Sequence, residues 1–338
     1  MIGAKSFGRL NCVRRRLTVR LVLWVIVIIA GSTYCVPAAA NDDRFEKWLS
    51  GLRREALSEG ISGAVLDETL RGLIPSARII QLDRSQPEFT TSFEEYLKRV
   101  APQARIDEGR ARLAENRSLL EEISVRYGVQ PQYLVALWSI ESDFGRQMGN
   151  FSVVGSLVTL AYDGRRSKYF RGELLHALRM INDGHVQPQQ MVGSWAGAMG
   201  QCQFMPSSFM RYAVDYDNDG RRDIWESRAD VLASIANYLY QNGWHNGERW
   251  GQEVRLPSRF NKKLLGRKHC KTISEWQAVH LKPVDGEPFP PSIKRASLIR
   301  LGEKVFLVYD NWQTLMKWNP SAYFSTAVGY LADRIISQ

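Results

Sequence analysis

Hydrophobic positions recur at helical spacing through most of this chain and change period only near its end. In "FEKWLSGLRREALSEG", Phe45, Trp48, Leu49, Leu52 and Ala56 form one apolar stripe that stops at Gly60. "RIDEGRARLAENRSLLEEISVRYG" predicts one long charged helix ending at Gly128, and "LDRSQPEFTTS" before it reads as extended chain or loop. Helices continue from Pro131, which suits a first helical turn, to Met180. "NDGHVQPQQMVGSWAGAMGQ" predicts a long loop rich in glycine and small residues, a kind of segment that often carries function. "RADVLASIANYLYQNGW" is a further helix, broken by Gly243. After Trp250 the texture alters. "QEVRLP" and "ASLIRLGEKVFLVYDNW" predict strands, the second a hairpin turning near Gly302. "TISE" (Thr272 to Glu275) is a capping box that starts a short helix, and the last helix runs from about Ser321 to Ile336. There is no internal repeat and no low-complexity segment. The expected fold is mainly α with a small β element, of the α+β class.

One position breaks the helical pattern. In "YLVALWSIESDFG", Glu141 comes three residues after Trp138, four after Leu137 and seven after Leu134, so it falls on the apolar face. A carboxylate there loses solvation, which disfavours its charged form and raises its pKa. Such an acid can hold a proton near neutral pH and deliver it to a leaving oxygen. The competing explanations are a buried arginine partner or a helix end that reaches water. Asp143 projects from roughly the opposite face and is a poor catalytic partner.

Charge narrows the class once the N-terminus is read. "RRRLTVR", the apolar run Leu21 to Ala30 and the small residues of "VPAAA" have the layout of a secretory signal cleaved after Ala40. The apolar run is about half the length a spanning helix needs, and an uncleaved anchor is the alternative. "STY" before Cys35 is not a lipidation context, so no lipoprotein is expected. The 338-residue chain carries a formal charge of +10, but its first 40 residues hold six basic side chains and no acid. Without them, 39 basic residues face 35 acidic ones, a net +4. Nucleic-acid binding loses its main support, while an anionic polymer stays a fitting partner. Of four cysteines, Cys12 and Cys35 leave with the signal. Cys202 and Cys270 remain in an oxidising compartment, either bridged or as two separate buried thiols.

Two further groupings carry chemistry. "DYDNDGRRDIWE" fits the calcium-loop pattern D-x-D-x-D-G-x5-E. Asp215, Asp217 and Asp219 alternate, Gly220 permits the sharp turn, Arg221 offers its carbonyl, Asp223 a direct or water-bridged contact, and Glu226 closes the loop. A solvated acidic turn is the alternative. One loop alone suits a structural ion rather than a sensor. Around the glycine-rich segment stand Trp195, Phe204, Tyr169, Tyr212 and Tyr238, which suit a sugar groove and, taken singly, suit a core. Five scattered histidines make no metal-hydrolase motif, and Ser194 in "GSWAG" lacks the context of a nucleophile elbow.

In order, "SIESDFGRQMGNFSVVGSLVTLAYDGRRSKYFRGEL", "GSWAGAMGQCQFMPSSFMRYAVDYDNDGRRDIWE" and "ANYL" resemble the B-type lytic murein transglycosylases, over roughly residues 45 to 335. The resemblance implies a lysozyme-like catalytic core with an inserted β-containing segment. The chain is then parsed as signal 1–40, N-terminal helical part 41–125, catalytic core 126–250, β-containing segment 251–312 and C-terminal helix 313–338. It implies cleavage of peptidoglycan between N-acetylmuramic acid and N-acetylglucosamine with one catalytic carboxylate, Glu141. Ser194, Gln203, Tyr169 and Tyr238 are implied to line the groove, Arg165 and Arg166 to lie near the substrate, and Asn319 to lie close to the acid. Asp215, Asp217, Asp219 and Arg221 are implied to bind an ion, closed by Glu226 or Asp230. Trp318 and Phe324 stand where tyrosines are expected, which puts the hydrogen bonds on that side in doubt. An ordinary glycosidase needs a second carboxylate, ~5–5.5 Å away if retaining and ~6.5–9.5 Å if inverting. No second acid is evident. The family's route is substrate assistance, with the muramic C6 hydroxyl attacking to give a 1,6-anhydro sugar. No catalytic cofactor is expected beyond a structural calcium ion. The partners implied are glycan strands and other cell-wall enzymes, for a periplasmic monomer. A hydrolytic muramidase and a non-enzymatic peptidoglycan-binding protein are the alternatives.

Overall fold

The computed structural model describes residues 38–85 and 91–337. The expected signal, apart from its last three residues, lies outside them, as do Cys12, Cys35 and part of the expected 82–92 loop. Contacts group Phe45–Gln338 into one body.

Six helices come first: α1 Ala38–Ser58, α2 Gly63–Leu70, α3 Ala77–Arg84, α4 Phe93–Val100, α5 Gln103–Glu115 and α6 Arg117–Tyr127. The long charged helix expected up to Gly128 is therefore two. Asn116 divides it, because its side chain turns back to donate to the Arg112 carbonyl at 2.7 Å and accepts from Arg228 at 3.0 Å. An asparagine that bonds local backbone competes with the helical ladder. The Ser92–Glu95 capping box, with both reciprocal bonds formed, starts α4.

The middle of the chain supplies α7 Pro131–Ser142, β1 Phe151–Ser152, α8 Val153–Asp163, α9 Ser167–Asn182, β2 Val192–Gly193, α10 Pro206–Tyr212 and α11 Arg228–Gln241. Pro131 occupies the first turn of α7, as expected. α7 runs through the centre of the body, packed by α5, α6, α11 and α14 (Ala322–Ile336). Every residue from Tyr133 to Ser139 is buried.

The change of period after Trp250 marks a five-stranded antiparallel sheet. Its strands are β3 Gly251–Arg255, β4 Cys270–Thr272, β5 Lys282–Pro283, β6 Arg295–Leu301 and β7 Lys304–Val308, in the order β4-β6-β7-β3-β5. The β6–β7 hairpin turns at Gly302, and α12 Ile273–Ala278 starts at the Thr272 capping box. This sheet has its own small core around Trp276, Leu298 and Leu307, whereas the helices on either side of it in sequence share one large core from Phe45 to Ile335. The sheet packs on the helices through Ile299, Leu301, Phe306 and Val308, and two polar or close contacts reinforce the join. Trp250 lies flat on α14, where a Cβ at Gly329 would meet the indole at 2.2 Å, and its Nε1–H donates to Asp333 at 2.9 Å. At the hairpin tip, the Glu303 N–H donates to Glu94 of α4 at 3.1 Å. The chain returns through α13 Asp310–Trp318 to α14, which Ser321 caps.

The cysteines differ from both expectations. Cys202 is buried in the helical core with its thiol 3.5 Å from the Val231 carbonyl, and Cys270 is exposed on the edge strand β4. Both are free. A bridge is excluded because the two thiols belong to different layers, one inside the helical core and one facing solvent.

Candidate active site

Glu141 occupies the last turn of α7, above Leu134, Leu137 and Trp138, all nearly inaccessible to solvent. The helix stops in a left-handed turn, with φ of 52° at Asp143, 58° at Phe144 and 89° at Gly145. Such a conformation costs ~1–3 kcal/mol at each non-glycine residue. The cost is offset by the Phe144 ring, which packs edge-on to Trp138 at 5.2 Å, and by Asp143, which pairs with Arg146 at 2.9 Å and Arg105 at 3.5 Å. Asp143 is thus tied up away from the acid, in keeping with its expected exclusion from catalysis.

Among the described residues, no lysine or arginine pairs with Glu141. Its neighbour is instead Trp318, whose Nε1–H donates to Oε1 at 2.6 Å. Burial pushes the Glu141 pKa up to about 7, against the smaller opposing pull of this bond. The ion-paired alternative is therefore absent. Trp318, one of two residues standing where the resemblance leads one to expect tyrosines, thus donates a hydrogen bond of its own on that side. The Trp318 ring is held by Tyr238 at 4.7 Å and Phe204 at 5.3 Å. Tyr96 of α4 and Tyr323 of α14, with rings 5.6 Å apart, close the other side. Burial raises the Tyr96 pKa, and the charge of Glu141 adds to the rise. Sequence reasoning missed these two tyrosines because α4 lies far before Glu141 in the chain and α14 far after it, so both enter the site only through tertiary packing.

The glycine-rich loop forms the floor. β1 and β2 pair at its root, and Gly193 lies so close to the loop that a Cβ would meet the Ala198 carbonyl at 2.2 Å. Gln201 ties the loop to its surroundings. It accepts from Trp138 Nε1–H at 2.7 Å and donates to the Trp225 carbonyl at 2.6 Å, while its own carbonyl accepts from Ser142 at 2.8 Å. This glutamine joins the acid-bearing helix, the loop and the acidic segment beyond. It was not singled out from sequence, where it is one of two glutamines in "MGQCQF".

A cleft of about 260 Å³ opens beside Trp318, lined also by Tyr169, Glu173, Gln203 and Tyr238. The expected groove residues Gln203, Tyr169 and Tyr238 thus come together. Gln203 is fixed by donation to Met148 and Gly200 carbonyls, and Tyr238 spends its hydroxyl on the Lys317 carbonyl at 2.7 Å. Tyr169 is about half exposed. Glu173 is a second carboxylate that the sequence did not reveal, but both its oxygens are occupied, by the Ser207 N–H at 2.9 Å and the Ser207 hydroxyl at 2.7 Å. Ser194 accepts from the Ala198 N–H within the loop, and Asn319 ends α13 beside Trp318, accepting from the Ser321 N–H. Arg165 and Arg166 are engaged elsewhere, clamping the buried Asp83 of α3. Burial would raise the Asp83 pKa, but the two guanidiniums outweigh it and hold the carboxyl below its usual range. Neither arginine lines the cleft.

In the acidic loop, carboxylate oxygens of Asp215, Asp217 and Asp230 converge within 4.8 Å of one another. Asp230, buried at the start of α11, joins the first two acids, and Glu226 points to solvent. Asp219 accepts from the Arg221 N–H and faces the Arg221 guanidinium, and Asp223 accepts from the Trp225 and Glu226 N–H groups. Three carboxylates form a hard oxygen donor set that fits a calcium ion.

Residues 44–333 match the family described as Transglycosylase SLT domain. The chain is 35% identical over 219 residues to membrane-bound lytic murein transglycosylase B of Escherichia coli, a match covering 62% of this chain and 58% of that protein. It thus spans less than two thirds of that relative's length. SltB3 from Pseudomonas aeruginosa superposes with a TM-score of 0.84 and 42% identity in its complex with NAG-NAM-pentapeptide, covering 87% of this chain and 80% of that one. The SltB3 complex with NAG-anhNAM-pentapeptide gives 0.83 and 43%, covering 86% and 79%. The Escherichia coli lytic transglycosylase Slt35 in complex with calcium gives 0.73 and 28%, covering 86% and 92%. The fold, the lone uncharged-pocket acid at the end of α7 and these matches agree, and the chain belongs to the transglycosylase SLT domain family, among its B-type lytic transglycosylases.

Proposed function

We propose that the protein cleaves the MurNAc-β-1,4-GlcNAc bond of peptidoglycan without water, leaving 1,6-anhydromuramic ends. The observation that carries this reading is Glu141, a carboxyl group raised to about 7 by burial and bonded to Trp318 of the cleft wall, while the carboxylate that lines the cleft, Glu173, has both oxygens engaged by Ser207. Neutral Glu141 gives its proton to the glycosidic oxygen as the bond to the anomeric carbon breaks. The substrate's N-acetyl group steadies the cation, and Glu141, now a base, takes the C6 hydroxyl proton as that oxygen attacks. An intramolecular nucleophile gains from proximity and needs no activated water. An inverting glycosidase uses a second, free carboxylate to activate water, and a retaining one uses it as the nucleophile. The two SltB3 complexes, one with an anhydro sugar, support the same substrate class here.

The acidic loop would hold a structural calcium ion through Asp215, Asp217 and Asp230, in line with the calcium complex of Slt35. The ion would fix the loop against Ser227 and α11 and takes no part in the bond cleavage. The N-terminal pattern supports export to the periplasm with cleavage after Ala40, where the protein would act on glycan strands as a monomer alongside other cell-wall enzymes. No helix among the described residues is long and apolar enough to cross a membrane. Mass spectrometry of products formed in heavy-oxygen water tests the reaction. Anhydro ends without solvent oxygen are expected. Reducing ends carrying heavy oxygen in the first products would make the enzyme a hydrolase.

A further inference from the structure

We propose that Trp318 is a positioning residue that decides which oxygen of Glu141 carries the catalytic proton. This rests on Glu141 as the acid, and goes beyond it by assigning the two oxygens different tasks. An indole N–H can donate and can never accept. At 2.6 Å from Oε1 it keeps a lone pair of that oxygen engaged. The carbonyl-type oxygen of a neutral carboxyl group is the better acceptor, so the proton resides on Oε2. A tyrosine hydroxyl at this place could donate or accept and would leave either oxygen free to hold the proton.

The donor is also fixed before substrate arrives. Trp318 ends α13, its ring is wedged between Tyr238 and Phe204, and Tyr238 is itself tethered to the carbonyl of the preceding residue, Lys317. In the first half of the reaction, the Oε2–H bond breaks, its proton goes to the leaving glycosidic oxygen, and that oxygen keeps the electron pair of the broken C–O bond. The new carboxylate charge is met by an N–H already in position. In the second half, Oε2 takes the C6 hydroxyl proton as the C6 oxygen forms its bond to the anomeric carbon, and the neutral acid is restored.

The other titratable groups facing Glu141 do not confuse the reading. Tyr96 of α4 and Cys202 of the glycine-rich loop both have raised pKa values and are neutral near pH 7. Tyr238 of α11 is pushed up to about 12, and Tyr323 of α14 is a phenol packed on Tyr96. Among charged side chains, Asp143 is paired with Arg105 of α5 and Arg146, and Lys317 of α13 donates to the Asn242 carbonyl. Asp230 of α11 is grouped with Asp215 and Asp217 and accepts from the Tyr216 and Asp223 N–H groups.

The test is the pH dependence of turnover in Trp318→Phe and in a variant with β-(3-benzothienyl)alanine at 318, which keeps the indole shape and lacks only the N–H. Because the bond favours the carboxylate, its loss raises the Glu141 pKa. The alkaline limb should move up by about one pH unit in both variants. Plateau turnover should fall about tenfold, with KM for a soluble glycan fragment within about twofold of the unmodified enzyme. An unmoved limb overturns the proposal, whether turnover is kept or lost, since packing alone would explain any loss. If Trp318→Phe unfolds, the isosteric variant decides. Glu141→Gln run in parallel separates the two readings. An inactive Glu141→Gln with an unmoved limb at 318 refutes only the role of Trp318, and an active Glu141→Gln refutes both.

Discussion

At the end of α7, Glu141 has one hydrogen-bond donor and no charged partner among the described residues. In the acidic loop, Asp230 accepts from the Tyr216 and Asp223 N–H groups at 2.7 Å each and faces Asp215 and Asp217. Burial is the largest cause in both of a pKa raised well above the ordinary, to about 7 and about 6. The surroundings separate them. Apolar and aromatic walls with a single donor leave Glu141 neutral and able to give a proton away. Like-charged Asp215 and Asp217 around Asp230 add to its reluctance to ionise, while two backbone N–H groups oppose it. Desolvation of a carboxylate is thus not a function in itself, and what stands within hydrogen-bond reach decides what a raised pKa can be used for.

The comparison breaks most visibly at Glu141. Glu141→Gln keeps the shape and removes the proton, so turnover should fall by ~10²–10⁴. Glycan binding and the melting temperature at pH 5 should be nearly unchanged. A variant with near-normal turnover would make Glu141 the wrong acid. Over the same pH range, the unmodified enzyme should lose activity as pH rises through about 7, because the active form is protonated.

The acidic loop should respond to calcium in stability, not chemistry. An ion at a hundred times its dissociation constant adds ~2.7 kcal/mol to the native state. Chelation should lower the melting temperature by several degrees, and Asp217→Asn should abolish the difference while keeping turnover at low temperature. A melting temperature indifferent to both calcium and chelator would leave the loop an acidic turn.

These two sites differed in how far sequence could reveal them. The acidic loop is local, so spacing was enough to bring Asp215 and Asp217 together, but it could not choose between Asp230 and Glu226, and it also named Asp219 and Asp223, which the structure turns to nearby backbone N–H groups. Glu141 was legible as an offence against the helical pattern of its own helix. Its partners were not, because Trp318 is 177 residues away and Tyr96 sits on a helix that the sheet hairpin braces through Glu94. The resemblance placed Arg165 and Arg166 near substrate, but the structure ties both to Asp83, a residue with no local mark of burial. The secondary structure was mostly legible from period and caps. The split at Asn116 was not, since it depends on a side chain that Arg228 holds from a distant helix.

A smaller effect separates the acid's chemistry from its cost. The folded pKa of Glu141, about 7, exceeds its ordinary value of 4.5. The folded state therefore holds a proton that the unfolded chain releases between these values, and stability falls as pH rises from about 4.5 to 7. Glutamine never ionises. Glu141→Gln should match the unmodified protein in melting temperature at pH 4 and exceed it at pH 8, by up to ~3 kcal/mol of stability. Equal melting temperatures at both pH values would mean that the carboxylate is well solvated when charged.

The smallest expected effect concerns the thiol between the two regions. Cys202 is inaccessible, and its pKa is pushed far up, chiefly by burial and further by the charges of Glu141 and Asp230. A thiolate there would be a buried anion beside two carboxyl groups, so the group stays a neutral thiol that packs as a small hydrophobe. Cys270 is exposed on an edge strand. In a chain beginning at Asn41, a disulfide reagent should therefore titrate one thiol at once and the second only on unfolding. Cys270→Ala should change stability by less than ~0.5 kcal/mol and leave turnover intact. Two fast thiols would mean that the floor of the site opens at Cys202, and the separate environments of Glu141 and Asp230 would then be joined through solvent. No reactive thiol in the denatured, unreduced chain would restore the bridge that the structure excludes.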